Sequence, residues 1–274
     1  MTKTYKLTNI HDAVKIGTTL TLSWFRGHSQ VYNELTPRIF RSNYTNMVVK
    51  KFRPNIEFEM VEQFKLRAPA FSSKIPPQED HVTWLFLMQH HGMPTRLLDW
   101  TENVLVALYF AVFERPNEDG ELWSIYPDQL NKLNGFFGLP LPNNRVLRYL
   151  AAEPMLNKPK DFLKELNLKT IPKYPLAVKP PFHFERIIVQ SSTFTIHPKP
   201  CKNETIPEIL SDEKHLVQYV IPKENKSELL SNLSSLGITK SSLFPNLDSL
   251  SHDLIQKNLM IAYSPPPPPK FDDK

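Results

Sequence analysis

The stretch QHHGMPTRLLDWTENVLVALYFAVF, residues 89–113, joins a polar first half to an apolar second half. The second half, VLVALYFAVF at 104–113, is apolar on every side and too short to cross a bilayer, so it predicts a central buried helix. The first half begins at the end of a helix predicted over 80–91, which Gly92 and Pro94 stop. TRLLD, residues 95–99, predicts a short buried strand or extended link between these helices.

Outside this stretch, the apolar pattern changes repeatedly between the period of a strand and that of a helix. Strands are predicted at 19–27 (TLTLSWFRG), 121–126 (ELWSIY) and 215–222 (HLVQYVIP), with two β-rich pieces in FERIIVQSSTFTIH, 184–197. Helices are predicted at 9–17, 56–68, 145–152, 160–167, 223–236 and near 246–257; in the second, an apolar stripe runs through Ile56, Met60, Phe64 and Ala68. Because strands and helices do not alternate regularly, we expect an α+β fold, a single domain with a mixed or antiparallel sheet around the buried central helix.

Proline sets the expected domain limits. The chain has 26 Pro and only 7 Gly, and many prolines lie in residues 140–182 and in the terminal PPPPPKFDDK. We therefore predict one domain over residues 1–264, with an irregular or inserted segment at 140–182. Residues 265–274 are expected to be a disordered polyproline tail, which would also suit a proline-recognition domain.

Composition narrows the class of protein. Lys and Arg exceed Asp and Glu by 33 − 28 = 5, a basic excess that favours an anionic partner but is too small to identify a nucleic-acid binder. A single cysteine, Cys201, excludes a disulfide framework and fits a reducing compartment. The N-terminal residues lack the apolar core of a signal peptide, and no apolar run reaches about 20 residues. We expect a cytoplasmic protein without a membrane segment.

The polar residues before the central helix have two interpretations. As part of a site, Thr95 and Arg96 would return beside the helix end, while Asp99, Trp100 and Thr101 would lie at the start of the next helix. Free N–H groups there bind anions such as a pyrophosphate, Arg96 could grip the same anion, and Trp100 could stack on a flat ring. As structural devices, Asp99 or Thr101 would cap the helix and Arg96 would pair with Asp99.

Two further groups have the same ambiguity. In Phe25-Arg26-Gly27, an arginine ends a strand and a glycine lets a ligand approach the backbone, although a surface arginine at a turn would look identical. Arg186 and Gln190, at strand spacing, share one face and could line a cleft or lie on a solvated edge.

The sequence lacks the usual phosphate-loop, zinc-protease and serine-hydrolase motifs. His90 and His91 are adjacent and would diverge by roughly 100° on a helix, so they make a poor metal pair. In the structural interpretation His90 bonds a backbone carbonyl, whereas as part of a site both side chains end a helix and can point past its rim. We expect no metal.

Several of these motifs occur together in a known family. WFRGHS, LTPRIFR (35–41), QHHGMPTRLLDWTENVLVALYFA, RIIVQSSTFTIH and LFPNLDSLSHDL (243–254) follow one another in the order typical of the FRG domain family. The chain resembles this family, bacterial and phage-associated proteins named for a Phe-Arg-Gly motif, here Phe25-Arg26-Gly27. It departs at Ser191-Ser192, where a glycine is common.

A second resemblance, at the level of motifs, is to the ADP-ribosyltransferases, which implies a related fold, NAD as substrate and a toxin or anti-phage effector. The aromatic-Arg-Gly strand and the polar residues ahead of a buried helix are similar in order. The resemblance implies that Arg26 holds a phosphate or the nicotinamide ribose and that Thr101 supports the nicotinamide end. Gln190 or Glu62 would replace the catalytic glutamate. The resulting NAD-binding set is Phe25, Arg26, Gly27, His90, His91, Thr95, Arg96, Asp99, Trp100 and Thr101.

Two other functions remain open: a non-catalytic module that binds nucleotide or nucleic acid, and an interaction or regulatory protein that docks through its proline tail. Both ligand-binding hypotheses depend on Arg26 and Arg96 facing one shared cavity. They also predict that replacing either arginine by alanine abolishes function and leaves stability nearly unchanged.

Overall fold

A computed structural model describes residues 4–32, 34–41, 56–153, 159–167, 172–181, 185–198, 206–210 and 215–261. Within these residues, seven strands form one sheet in the order β1-β7-β4-β2-β3-β6-β5. β1 pairs with β7 in parallel, and the other pairs are antiparallel. The strands are β1 (Thr4–Lys6), β2 (Trp24–His28), β3 (Leu97–Thr101), β4 (Gly120–Ile125), β5 (Leu176–Val178), β6 (Ser192–Ile196) and β7 (Leu216–Ile221).

Helices pack around this mixed sheet, so the α+β prediction is confirmed. They are α1 (Ile10–Thr19), α2 (Ile56–Arg67), α3 (His81–His90), α4 (Val104–Val112), α5 (Pro127–Lys132), α6 (Arg145–Ala152), α7 (Pro159–Glu165), α8 (Glu185–Val189), α9 (Ile206–Ile209), α10 (Lys223–Ser235), α11 (Lys240–Leu243) and α12 (Leu247–Ile261). Within the described residues, none of these helices has the length and apolar character needed to cross a bilayer.

The central helix α4 lies unusually close to the sheet. A Cβ added to Gly27 on β2 would lie 1.8 Å from the backbone oxygen of Ala107, and one on Gly120 of β4 would lie 2.4 Å from that of Ala111. These two glycines, in neighbouring strands, therefore allow the backbone of α4 to pack directly against the sheet. The close helix backbone requires a glycine at position 27, and Gly27 also lines the cavity described below, where the sequence had suggested the close approach of a ligand.

The sheet separates two apolar layers. Phe25 and Leu122 point toward α4 and join its cluster, while Trp24, Trp123 and Trp100 belong to a second cluster. Alternation along β2 and β4 therefore buries both faces of the sheet centre.

Some local predictions were wrong. Residues 185–189 form a helix where a β-rich piece was expected, and β2 begins at Trp24 because a turn with Leu22 at φ 67° precedes it. In α2 the buried residues are Glu57, Val61 and Lys65, none of which belongs to the predicted apolar stripe. By contrast, the helices predicted at 145–152 and 160–167 are confirmed as α6 and α7; the segment 140–182 also holds β5, and the tail at 265–274 lies outside the described residues.

Candidate functional site

A cavity of about 330 Å³ lies beside the middle of the sheet, where β2 and β3 separate. β2 is registered with β4 over five residue pairs but with β3 at Phe25↔Thr101 alone. Side chains from both strands can therefore enter the gap. The polar residues that line it are Arg26, Arg38, Arg41, Gln89, Asp99, Thr101, Arg186, Gln190 and Ser192, and the apolar ones include Phe25, Met93, Leu98, Val106, Ala107 and Phe110.

The charge of this lining is strongly positive. Among the residues that the structure describes, it contains four arginines and one carboxylate, Asp99, whose side chain is 54% exposed. We call this cavity the arginine pocket. Guanidinium groups bind phosphates and carboxylates through paired N–H donors, so such a lining favours an anionic ligand.

Arg26 is fixed in place by two hydrogen bonds. Its Nε donates to His28 Nε2 at 2.8 Å, and its Nη1 donates to the backbone oxygen of Asp99 at 2.6 Å. The same Nη1 lies 3.8 Å from Asp99 Oδ2. Burial lowers the pKa of Arg26 to about 10, so the group remains charged at neutral pH.

His28 connects Arg26 to a buried carboxylate. Its Nδ1 lies 2.6 Å from Glu121 Oε1, and Gln218 Nε2 donates to the other oxygen, Glu121 Oε2, at 2.7 Å. Because His28 Nε2 accepts from Arg26, the imidazole proton must lie on Nδ1, where it is donated to Glu121. Burial and the Arg26 charge lower the pKa of His28 to about 4, so this ring is neutral at pH 7.

The burial of Glu121 favours its protonated form, but its hydrogen bonds, including that from His28, outweigh burial and lower its pKa. Arg26, His28 and Glu121 therefore form a hydrogen-bonded network behind the pocket. This network was not predicted from the sequence. Arg26 and His28 share one face of β2, but the predicted strand ended at Gly27 and nothing in the sequence marked Glu121 as their neighbour.

A second hydrogen-bonded network positions Asp99. Gln89 Nε2 donates to Asp99 Oδ2 at 2.8 Å, and the buried Thr95 hydroxyl donates to Gln89 Oε1. Thr95 was predicted to contact the ligand, but it does not line the pocket and instead orients the Gln89 amide.

The far wall comes from the C-terminal part of the chain. Arg186 places its Cζ 4.6 Å from the centroid of the Phe244 ring, and Gln190 Nε2 donates to the backbone oxygen of Leu243 at 2.8 Å. Both residues line the pocket, as their spacing suggested. They share a face through helical i, i+4 spacing, because Arg186 lies on α8.

Arg96 does not share this pocket. Its fully buried guanidinium binds Glu57 through Nε and Nη2, at 2.7 and 2.6 Å, and Glu153 through Nη1 at 2.7 Å. Burial opposes its charge, but the two carboxylates prevail and raise its pKa. The prediction that Arg26 and Arg96 face one cavity is therefore wrong, and so is the alternative pairing of Arg96 with Asp99.

The first residues of the central helix, 103–105, are not among the described residues that line the pocket. Asn103 caps it by accepting from the backbone N–H of Leu105, and Thr101 belongs to β3, with its hydroxyl donating to the backbone oxygen of Gln190 at 2.7 Å. The pocket instead meets the middle of α4. Trp100, which was expected to stack on a ligand, lines the pocket, but its indole is buried and donates to Thr195 Oγ1 at 3.2 Å.

The remaining predicted residues lie apart. His90 and His91 contact each other, with centroids 5.0 Å apart, and do not line the pocket. Glu62 is exposed on α2 and is absent from the pocket lining, so it brings no carboxylate there. Arg38 and Arg41, both from LTPRIFR, are pocket residues that the site prediction missed.

Residues 21–120 match the family model described as the FRG domain. This match confirms the resemblance to the FRG domain family that the sequence motifs indicated. No curated protein and no solved structure matches the chain. The matched part supplies Arg26, Arg38, Arg41 and Asp99, whereas Arg186 and Gln190 lie beyond it, as do RIIVQSSTFTIH and LFPNLDSLSHDL.

Proposed function

Because the chain carries an FRG domain over residues 21–120, we propose that the arginine pocket of this domain binds a nucleotide through its phosphates. NAD is the proposed nucleotide, used in a reaction like that of the ADP-ribosyltransferases. One observation carries the proposal: within the described part of the chain, four guanidinium groups and a single carboxylate line one cavity.

The arrangement of Arg26 supports phosphate binding. Its backbone and His28 contacts hold the side chain before a ligand arrives, so less side-chain entropy is lost on binding. The cavity volume lies at the lower end of the range of about 300–1,000 Å³ for ligand pockets, which suits a phosphate group with part of a nucleoside.

ADP-ribosyl transfer requires one bond to break and one to form at the anomeric carbon of the nicotinamide ribose. The bond to nicotinamide breaks and its electron pair leaves with the neutral ring. A nucleophile on the acceptor then attacks the anomeric carbon and loses its proton. Asp99 is the pocket carboxylate that could stabilise the positive charge in between, a role first assigned to Glu62 or Gln190.

The test uses NAD labelled in its adenylate half, incubated with the protein and a cell extract. Label should enter an acceptor and nicotinamide should be released, and the double variant Arg38→Gln, Arg41→Gln should lose both. Arg148→Gln, on the exposed face of α6, is the matched control. A folded protein that neither binds NAD nor releases nicotinamide would refute the proposal.

A non-catalytic nucleotide-binding module is the second candidate. The position of Asp99 favours it, because this carboxylate receives a hydrogen bond from Gln89 and lies 3.8 Å from Arg26. NAD binding that depends on Arg38, without nicotinamide release, would select this function. A role as toxin or anti-phage effector follows from the enzymatic proposal alone, and growth arrest on expression, lost in the double variant, would support it.

A further inference from the structure

A second cavity adjoins the arginine pocket. It measures about 420 Å³ and is lined by Phe110, Phe113, Glu114, Lys240, Phe244, Asn246, Asp248 and Ser249. Phe110 lines both cavities, and Phe244, which lines the second, carries Arg186 of the first over its ring. We call the second space the aromatic cavity. One ligand could therefore extend from one cavity into the other past these two rings.

The rings of the aromatic cavity are held by their neighbours. Phe110 and Phe244 meet edge to face, with centroids 5.9 Å apart, and Phe113 stacks on Tyr109 at 4.9 Å. Arg186 further restricts Phe244. Rigid aromatic rings beside charged and amide side chains are suited to a flat heterocycle, because the rings contact its faces and the polar groups meet its heteroatoms.

We propose that the aromatic cavity binds the nitrogen heterocycle of a nucleotide whose phosphates occupy the arginine pocket. This inference rests on the proposed function, because it requires a phosphate-bearing ligand in the first cavity. Adenine and nicotinamide share the necessary chemistry, a flat ring with polar edges. Lys240, Asn246 and Asp248 provide donors and acceptors for such edges.

Another space also touches the arginine pocket. A groove of about 680 Å³, lined by Phe64, Phe71 and other residues of and after α2, shares Met93 with it. Phe71 is 88% exposed at this groove, and Met93 is a flexible side chain. The rings of the aromatic cavity are partly buried and pack against one another. This cavity therefore offers a heterocycle the more rigid surface of the two.

The experiment measures, by titration calorimetry, the binding of inorganic pyrophosphate, ADP and nicotinamide mononucleotide to the full chain. Phe113→Leu removes a ring that lines the aromatic cavity but not the arginine pocket. Phe71→Leu is the matched control, since it makes the same change in the competing groove. Urea unfolding of both variants checks that the fold is intact.

We expect pyrophosphate to bind the wild type and both variants equally. Phe113→Leu should weaken ADP or nicotinamide mononucleotide about 5-fold or more, and the affected ligand identifies the ring that the cavity takes. Phe71→Leu should weaken neither.

Two results overturn the inference while leaving the proposed function intact: equal binding of both nucleotides by wild type and Phe113→Leu, or a loss confined to Phe71→Leu. If the wild type does not bind pyrophosphate at all, the proposed function fails, and the inference fails with it.

Discussion

Arg26 is partly buried and Arg96 is fully buried, and their partners indicate different roles. The Nε and Nη1 of Arg26 donate to neutral acceptors, with the exposed Asp99 carboxylate 3.8 Å away, and the side chain lines a cavity. Arg96 is instead bound directly by two carboxylates. Arg96→Ala should lower the free energy of unfolding by about 3–5 kcal/mol, because it leaves Glu57 buried without its counterion. Urea unfolding measures this loss.

The exposed substitution Arg148→Gln should leave stability unchanged within about 0.5 kcal/mol. This replaces the expectation, drawn from the sequence, that Arg96→Ala would spare stability and abolish function. A stable Arg96→Ala protein that no longer binds NAD would restore the ligand role.

Asp99 allows binding and catalysis to be separated. Asp99→Asn removes the negative charge from the pocket and keeps an oxygen that can accept from Gln89. NAD should bind as tightly or more tightly, because repulsion of its phosphates falls, while release of nicotinamide should drop about 100-fold or more. In the same sample, calorimetry measures the binding of NAD and product analysis measures the release of nicotinamide. Equal loss of binding and turnover would show that Asp99 contacts the ligand in its ground state.

His28 should make stability depend on pH. Its folded pKa of about 4 lies below the ordinary value of 6.5, so the unfolded chain binds the proton more readily. The stabilisation is therefore complete above about pH 6.5 and is lost as the pH falls toward about 4. Urea unfolding between pH 7 and pH 4.5 should show a smaller decrease for His28→Gln than for the wild type. Parallel curves for the two proteins would contradict the assignment of a neutral His28.

The arginines also show what the sequence could reveal about the site. Arg26 was found because a strand pattern and a glycine surround it. Arg96 was assigned wrongly because its carboxylate partners lie 39 and 57 residues away along the chain, where no local pattern connects them. Arg38 and Arg41 belong to a short turn that carries no periodic signal.

At the level of elements, the contact of α4 with β2 and β4 organises the molecule. The apolar side chains on all sides of residues 104–113 were enough to predict the helix. The same pattern predicts that this helix is buried. α8 was predicted as a strand because ERIIV is rich in β-branched residues, whereas its conformation is set by tertiary context. The register of β2 with β3 and β4 was likewise out of reach, since pairing depends on residues distant in sequence.

Gly27→Ala should destabilise the protein by about 3 kcal/mol or more. The new methyl group would meet the backbone of α4, which cannot rotate aside as a side chain can. Gly17→Ala is the matched control: its Cβ would meet a Val104 side-chain methyl at 2.6 Å, a contact that a small side-chain shift can relieve. Thermal and urea unfolding compare the two. Equal losses would mean that α4 can move away from the sheet at little cost.

For the whole molecule, the matched region and the folded unit have different limits. Residues 21–120 contain β2, β3 and α2 to α4, but they stop at the first residue of β4 and omit β6, the other partner of β3. In a fragment of residues 21–120, the edge of β2 that pairs with β4 and the edge of β3 that pairs with β6 should therefore be unpaired. The apolar side chains of α4 that pack against β4 and β7 should also be exposed. We expect no cooperative urea transition and no pyrophosphate binding from this fragment. The full chain should give both. A fragment that unfolds cooperatively and binds pyrophosphate would show that Arg186 and the outer strands are dispensable, and the pocket would then belong to the matched region alone.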